Sequence, residues 1–141
     1  MTKPKKRGLL LSIDDEPMVR EVITSLAATT GFDCLQAGTP AEIKMALDRN
    51  PDVIVLDMTM PDMDGIEVIW ELKQRKSKAS LIISSGFNSS VIRAAEQIAA
   101  NSDLKYVKRL DKPWDAERML GIFEELLNAL EISGQSPQPS Q

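Results

Sequence analysis

The fold is decided by residues 52–65, which read DVIVLDMTMPDMDG. Residues 53–56 are consecutive apolar residues, most of them β-branched, and such a run is typical of a strand buried on both faces. Asp57 follows at the carboxyl end of that strand, and Pro61 together with the closing Asp-Gly pair indicates a loop. Because ligands of open α/β sheets bind outside the carboxyl ends of the strands, Asp57 lies where chemistry is expected.

The composition fits one globular domain. The chain has 141 residues, of which 43% are apolar and 27% are charged. Its net charge of −4 argues against nucleic acid or an anionic membrane as a direct partner. The single cysteine, Cys34, excludes an intrachain disulfide. Since no apolar run reaches the length of a membrane span, we expect a cytoplasmic protein.

The chain contains no histidine. This excludes Ser-His-Asp and Cys-His nucleophiles and the usual zinc sites. It also means that the chain cannot be the phosphohistidine donor of a phosphotransfer relay.

Strand-like and helix-like patterns alternate five times. The strand-like segments are residues 8–13, 32–37, 53–57, 81–85 and 105–110. Apolar residues at helical spacing follow each of them, and in the first helix these are Val19, Val22, Ile23, Leu26 and Ala27. The alternation predicts an α/β fold, with a parallel sheet covered by helices on both faces. We place a basic tail at residues 1–7, the folded domain at 8–131, and a disordered tail or linker at 132–141.

Polar residues follow four of the five predicted strands, and those with candidate chemistry are Asp14, Asp15, Asp57, Ser84, Ser85 and Lys112. If the first and third strands are neighbours, the three carboxylates converge, and each pair at about 5 Å repels by roughly 3 kcal/mol at an effective dielectric of about 20. Such a cluster needs cations, and Lys112 and a hard divalent ion such as Mg²⁺ are suited to it. An aspartate flanked by these groups and a hydroxyl can accept a phosphoryl group.

The motifs Asp14-Asp15, Asp57 with MPDMDG at 60–65, Ser85-Gly86 and Lys112-Pro113-Trp114 resemble the receiver domain of two-component response regulators. The resemblance covers about residues 8–131. It implies a flavodoxin-like, doubly wound sheet with strand order 2-1-3-4-5.

The resemblance also implies the roles of the site residues. Asp57 would be the phosphoacceptor for a sensor histidine kinase or a histidine phosphotransfer protein. Mg²⁺, or Mn²⁺ in its place, would be bound by Asp15, Asp57 and the Thr59 carbonyl, with Asp14 assisting. The phosphoryl group would be contacted by Ser85 as the switch hydroxyl, Lys112, Thr59 and Gly86. Ser84 is the alternative switch hydroxyl.

The sequence departs from the family pattern at the position that usually helps to transmit the phosphorylation signal. An aromatic residue often stands three positions before the lysine, but here that residue is Arg109, and Tyr106 lies six positions before the lysine. We therefore expect Arg109 or Tyr106 to report the state in another way, or another face of the domain to carry the signal. Phe87, with Thr59, flanks the predicted path of water to the acyl phosphate, so we expect Phe87 to prolong the lifetime of the phosphoryl group.

The expected function is a phosphorylation-gated switch without turnover of an external substrate. Phosphorylation would change the face formed by the fourth helix, fifth strand and fifth helix, which would control a partner, a homodimer or an output domain. The segment from Ser85 to Trp114 is also similar to receivers joined to cyclic-di-GMP phosphodiesterase domains. Two alternatives are a phosphorylation-independent interaction module and an aspartyl phosphatase, and Thr59 argues against the phosphatase because haloacid-dehalogenase-type enzymes need an aspartate there.

Overall fold

A computed structural model describes residues 8–60, 64–86 and 89–134. Its strands are β1 (Leu9–Ile13), β2 (Asp33–Ala37), β3 (Val53–Asp57), β4 (Ser80–Ser85) and β5 (Tyr106–Asp111). Its helices are α1 (Pro17–Thr30), α2 (Pro40–Leu47), α3 (Gly65–Gln74), α4 (Ser89–Ala100) and α5 (Ala116–Gly134). The strands form one parallel sheet in the order β2-β1-β3-β4-β5, which confirms the predicted doubly wound fold.

Strand β3 is the centre of the sheet and is buried along its whole length. It pairs with β1 on one side and β4 on the other, so that Ile13 lies opposite Leu56 and Asp57 lies opposite Ser84. The apolar run of β3 is therefore covered on both faces, as the unbroken hydrophobic sequence predicts. Asp57 is consequently fixed at the carboxyl edge of a strand that cannot shift without exposing its core residues.

Two apolar cores cover the two faces of the sheet. On the α2–α4 face, Ile54 and Leu56 pack with residues of helices α2, α3 and α4. On the α1/α5 face, Val53 and Val55 pack with residues of helices α1 and α5. Alternate residues of β3 thus belong to alternate cores, and Asp57 continues the row of Val53 and Val55.

Strand β5 forms one edge of the sheet, as its less apolar sequence predicts. Val107 packs on the α2–α4 face, whereas Leu110 belongs to the core of the α1/α5 face. Arg109 therefore shares a face with Val107, and Tyr106 shares the opposite face with Leu110.

Helix α1 begins at Pro17, whose missing N–H suits the first helical position. It ends at Gly31, which has a φ of 117° and donates its N–H to the carbonyls of Ala27 and Ala28. Ile23 and Ala27 are buried as predicted, but Val22 is 49% exposed and the expectation that it faces the core is wrong. Helix α1 packs against β1, β2 and α5 through the stripe that contains Ile23 and Ala27, and Val22 lies outside that stripe.

Helix α5 continues to Gly134, three residues past residue 131, where the sequence placed the end of the domain. The predicted tail at residues 1–7 lies outside the described residues, as do residues 135–141 of the tail predicted at 132–141. Among the helices that the structure describes, none is both long and apolar enough to span a membrane.

Replacing Gly31 by alanine should destabilise the domain by about 1–2 kcal/mol, because an L residue is strained at this positive φ. The added Cβ would also lie 3.1 Å from Cδ2 of Leu127. Urea unfolding followed by circular dichroism measures the change.

The matched control is Gly121→Ala, because Gly121 lies inside α5 with nothing within 4 Å of the added Cβ. Alanine should stabilise that helix by about 1 kcal/mol. Equal effects at the two positions would contradict the conformational explanation.

Candidate functional site

Three acidic side chains meet at the carboxyl edge of the sheet. Asp14 and Asp15 follow β1, Asp57 ends β3, and their ligand oxygens lie within 4.8 Å of one another. The cluster forms because β1 and β3 are neighbours and parallel, so their carboxyl ends meet at one place. Asp14 and Asp57 are buried, at 2% and 3% exposure, whereas Asp15 lies at the solvent side.

Asp57 is held by two donors. Its Oδ1 accepts a hydrogen bond from Nζ of Lys112 at 3.0 Å and another from the backbone N–H of Thr59 at 3.0 Å. The contact with Lys112 is also an ion pair, and the lysine side chain is 32% exposed while that of Asp57 is 4% exposed. The Lys112 ammonium group therefore faces the cluster of three carboxylates.

Lys112 reaches Asp57 from two strands away. It follows β5, and its backbone N–H donates to the Ser85 carbonyl at 2.8 Å. Since β4 lies between β3 and β5, the lysine side chain has to cross the end of β4 to reach Asp57. The Lys112–Pro113 peptide bond is cis.

Arg20 holds the backbone at Asp14. Its Nη1 donates to the Asp14 carbonyl at 2.7 Å, and its Nε donates to the Gln36 side chain at 3.1 Å. A Cβ at Gly38 would collide with the Arg20 guanidinium, so the glycine leaves room for this arrangement. Arg20 is not among the predicted site residues, because no local sequence pattern links this residue of α1 to Gln36 on β2.

Asp14 also caps the turn that leads into α1, since its Oδ1 accepts the Glu16 N–H at 2.9 Å. The pKa of Asp14 is raised to about 6, and burial is the largest cause. The negative charges of Asp57 and Asp15 also raise this pKa, while the hydrogen bond from Glu16 and the positive charge of Lys112 lower it. The buried carboxylate is thus costly to ionise without an additional cation.

The predicted hydroxyl and glycine positions lie at the end of β4. Ser85 is buried and belongs to the row of Leu81 and Ile83, which faces α2–α4. Ser84 is buried on the opposite face. Gly86 follows them, and a Cβ placed there would have no atom within 4 Å, so there is open space beside its backbone.

The predicted output residues Arg109 and Tyr106 lie on β5, the strand at one edge of the sheet. Arg109 forms an ion pair with Asp111, with Nε 2.8 Å from Oδ1. Tyr106 is 36% exposed and lies on the other face of β5, so it does not take the place of an aromatic residue at position 109. Phe87 and residues 61–63 lie outside the described residues.

The acidic cluster fits a hard divalent cation. Its ligands are all carboxylate oxygens, two of the three side chains are buried, and the nearby lysine supplies a single positive charge. Oxygen ligands of this kind are those that Mg²⁺ prefers. The raised pKa of Asp14, caused first by burial and then by the neighbouring carboxylates, shows that its negative charge is costly in this pocket.

Comparison with known proteins identifies this arrangement. The sequence model of the response regulator receiver domain matches residues 10–124. The chain is 32% identical to the chemotaxis protein CheY of Bacillus subtilis over 123 residues, covering 84% of this chain and 97% of CheY. This chain belongs to the response regulator receiver domain family.

Other relatives differ in how much of their length the receiver covers. The chain is 28% identical to the transcriptional regulator NtrC of Escherichia coli, covering 87% of this chain but 25% of NtrC. A response regulator from Colwellia psychrerythraea has a TM-score of 0.74 and 29% identity, covering 88% of this chain and 99% of that structure. CheY4 of Vibrio cholerae, at 18% identity and a TM-score of 0.71, has the same fold.

Membership of the receiver family confirms that the chain is not a classical enzyme and that it belongs to two-component signalling. The pocket of Asp14, Asp15 and Asp57 is consistent with a phosphoacceptor site and is typical of the receiver magnesium site. A receiver implies a histidine kinase as partner.

We predict that Asp14→Asn stabilises the metal-free receiver at pH 7.5 by up to about 3 kcal/mol. The pKa of Asp14 is about 6 in the folded state and 3.8 in a model compound, so the folded state binds more protons between these values. Stability therefore falls as pH rises from about 4 to 6, and the penalty is complete above pH 6. Urea unfolding in chelator at pH 7.5 and pH 4 measures the gain, which should vanish at pH 4.

Asparagine retains the oxygen that caps the Glu16 N–H, so the substitution changes the charge and leaves this bond. Asp103→Asn, on the exposed loop before β5, is the control and should have little effect at either pH. A gain for Asp14→Asn that persists unchanged at pH 4 would rule out charge as its cause.

Proposed function

We propose that this receiver accepts a phosphoryl group on Asp57 from the phosphohistidine of a kinase or phosphotransfer protein. The observation that carries the proposal is the contact between Asp57 Oδ1 and Lys112 Nζ, within a cluster of three carboxylates. A buried carboxylate that is oriented by a lysine and a backbone N–H is a preorganised nucleophile.

In the proposed transfer, an Asp57 carboxylate oxygen attacks phosphorus while the bond from phosphorus to the histidine nitrogen breaks. The electron pair of that bond remains on the imidazole, which is the leaving group. Lys112 and the Thr59 N–H already face Asp57, so they are near the oxygens on which negative charge accumulates. The site supplies orientation and charge stabilisation, and the partner supplies the phosphoryl group.

Asp14, Asp15, Asp57 and the backbone carbonyl of Thr59 would hold Mg²⁺, with Mn²⁺ as a substitute. A bound divalent ion neutralises negative charge on the phosphoryl oxygens during transfer. Arg20 keeps the Asp14 backbone in place by holding its carbonyl oxygen. Asp14 must lose its proton to act as a ligand, and its raised pKa predicts weaker metal binding below about pH 6.

Ser85, Gly86 and Lys112 would contact the phosphoryl group after transfer. Ser85 is suited to transmit the change because its row faces α4 and its carbonyl holds the backbone of Lys112. Movement there would bias the face formed by α4, β5 and α5, which would then bind a partner, a second copy or an output domain. The Arg109–Asp111 ion pair lies next to Lys112 on this path.

The test uses beryllofluoride with Mg²⁺, which imitates an aspartyl phosphate. Trp114 lies two residues after Lys112 and packs on the α1/α5 core, so its fluorescence is a suitable reporter in a Trp70→Phe background. We expect a saturable change that is lost in Asp57→Asn. Lys112→Ala should raise the beryllofluoride concentration at half-maximal change by about tenfold or more, because the substitution removes a charge-assisted contact.

Asp103→Asn is the control and should titrate as the parent does. Size-exclusion chromatography of the same samples reports whether activation changes the oligomeric state. A parent protein that gives no response but still binds its partner would favour a phosphorylation-independent interaction module, and would overturn the proposed switch.

A further inference from the structure

Ser84 carries a buried hydroxyl beside the phosphoacceptor. Its side chain is 2% exposed, and within the described part of the chain its Oγ has no hydrogen-bond partner. Ser84 lies directly opposite Asp57 in the register of β3 and β4, and its carbonyl accepts the Met58 N–H at 3.0 Å. A buried hydroxyl without a hydrogen-bond partner lowers the free energy of unfolding, so the groups around it are of interest.

The hydroxyl and the carboxylate lie on the same face of the sheet. Ser84 continues the row of Ile82, which packs on the α1/α5 face, and Asp57 continues the row of Val53 and Val55 on that face. Neighbouring strands are about 4.8 Å apart, so rotation of the serine side chain can bring its hydroxyl to a carboxylate oxygen. Ser85 lies on the opposite face and is a separate hydroxyl.

Ser84 has Lys112 and Leu110 as neighbours at the end of β4. The Lys112 side chain crosses the end of β4 on the way to Asp57, which places the lysine near Ser84. On the other side, Ser84 is opposite Leu110, an apolar residue. Of the two residues opposite Ser84 in the sheet, Asp57 is therefore the one whose side chain can accept a hydrogen bond from the Ser84 hydroxyl.

We propose that the Ser84 hydroxyl donates a hydrogen bond to the Asp57 oxygen that is released when the acyl phosphate hydrolyses. This inference rests on the proposed function, since it concerns the same aspartate. In hydrolysis, a water oxygen attacks phosphorus and the bond from phosphorus to the Asp57 oxygen breaks. The electron pair stays on that oxygen, inorganic phosphate leaves with the protons of the water, and Ser84 keeps its own proton. Its hydrogen bond stabilises the carboxylate as the charge develops.

The experiment measures the lifetime of the phosphoryl group on the full chain. The protein is labelled with radioactive acetyl phosphate and Mg²⁺, the donor is removed, and loss of label is timed. Ser84→Ala should slow hydrolysis by about five- to tenfold, since one hydrogen bond to a developing charge is lost.

Threonine and valine separate the hydroxyl from its volume, because their side chains are nearly isosteric. The phosphoryl group should have the same lifetime in Ser84→Thr as in the parent. In Ser84→Val its hydrolysis should be slowed as much as in Ser84→Ala. Ser12→Ala is the matched control, because Ser12 is fully buried and its Oγ also lacks a partner among the described residues, but it lies opposite Val55. It should leave the lifetime unchanged.

Equal lifetimes for the threonine and valine variants would overturn the role of Ser84, as would an unchanged lifetime in Ser84→Ala. A parent chain that takes up no label on Asp57 would overturn the proposed function, and this inference with it. Urea unfolding of every variant shows whether it is folded, and slowing in Ser12→Ala equal to that in Ser84→Ala would assign the effect to packing and contradict the proposal.

Discussion

The ion pair between Asp57 and Lys112 is the interaction around which the site is built. It joins β3 to the segment after β5 across the intervening strand, and it brings one positive charge to three carboxylates. At about 5 Å and an effective dielectric of about 20, each carboxylate pair costs roughly 3 kcal/mol, so one lysine does not balance the cluster. The apolar residues of β1 and β3 beneath the cluster stabilise the sheet that holds these charges together.

The metal-free domain can lower this repulsion by protonating Asp14, whose pKa is about 6. Protonation and cation binding are therefore alternative ways to neutralise the same oxygen. The hydrogen bond from the Arg20 guanidinium to the Asp14 carbonyl holds this loop without using the Asp14 carboxylate, which leaves the carboxylate available to a cation. A site built in this way has a fixed backbone and an adjustable charge.

The sequence predicts the sheet and the converging side chains because both follow from local patterns. Four of the five strands are followed by polar residues with candidate chemistry, and parallel strands bring these ends to one edge, so the sequence alone predicts that Asp14, Asp57 and Lys112 lie together. The contact of Arg20 with Gln36 depends on the pairing of β1 with β2, which no local pattern contains. The same limit applies to Val22, because periodicity identifies an apolar stripe but not the width of the surface that covers it.

The two unpartnered serines show why burial alone does not identify a functional residue. Ser12 and Ser84 are both buried, and each hydroxyl without a partner costs about 1–3 kcal/mol. Ser12 lies opposite Val55 on one side and Gln36 on the other and faces no carboxylate in its register, whereas Ser84 lies opposite the carboxylate that changes its charge during the proposed cycle. At Ser12 the unsatisfied hydroxyl only lowers the stability of the fold. At Ser84 the hydroxyl is also a hydrogen-bond donor beside the Asp57 oxygen on which charge develops in the proposed hydrolysis. The neighbour across the strand, and not the unsatisfied hydroxyl itself, makes the difference between the two.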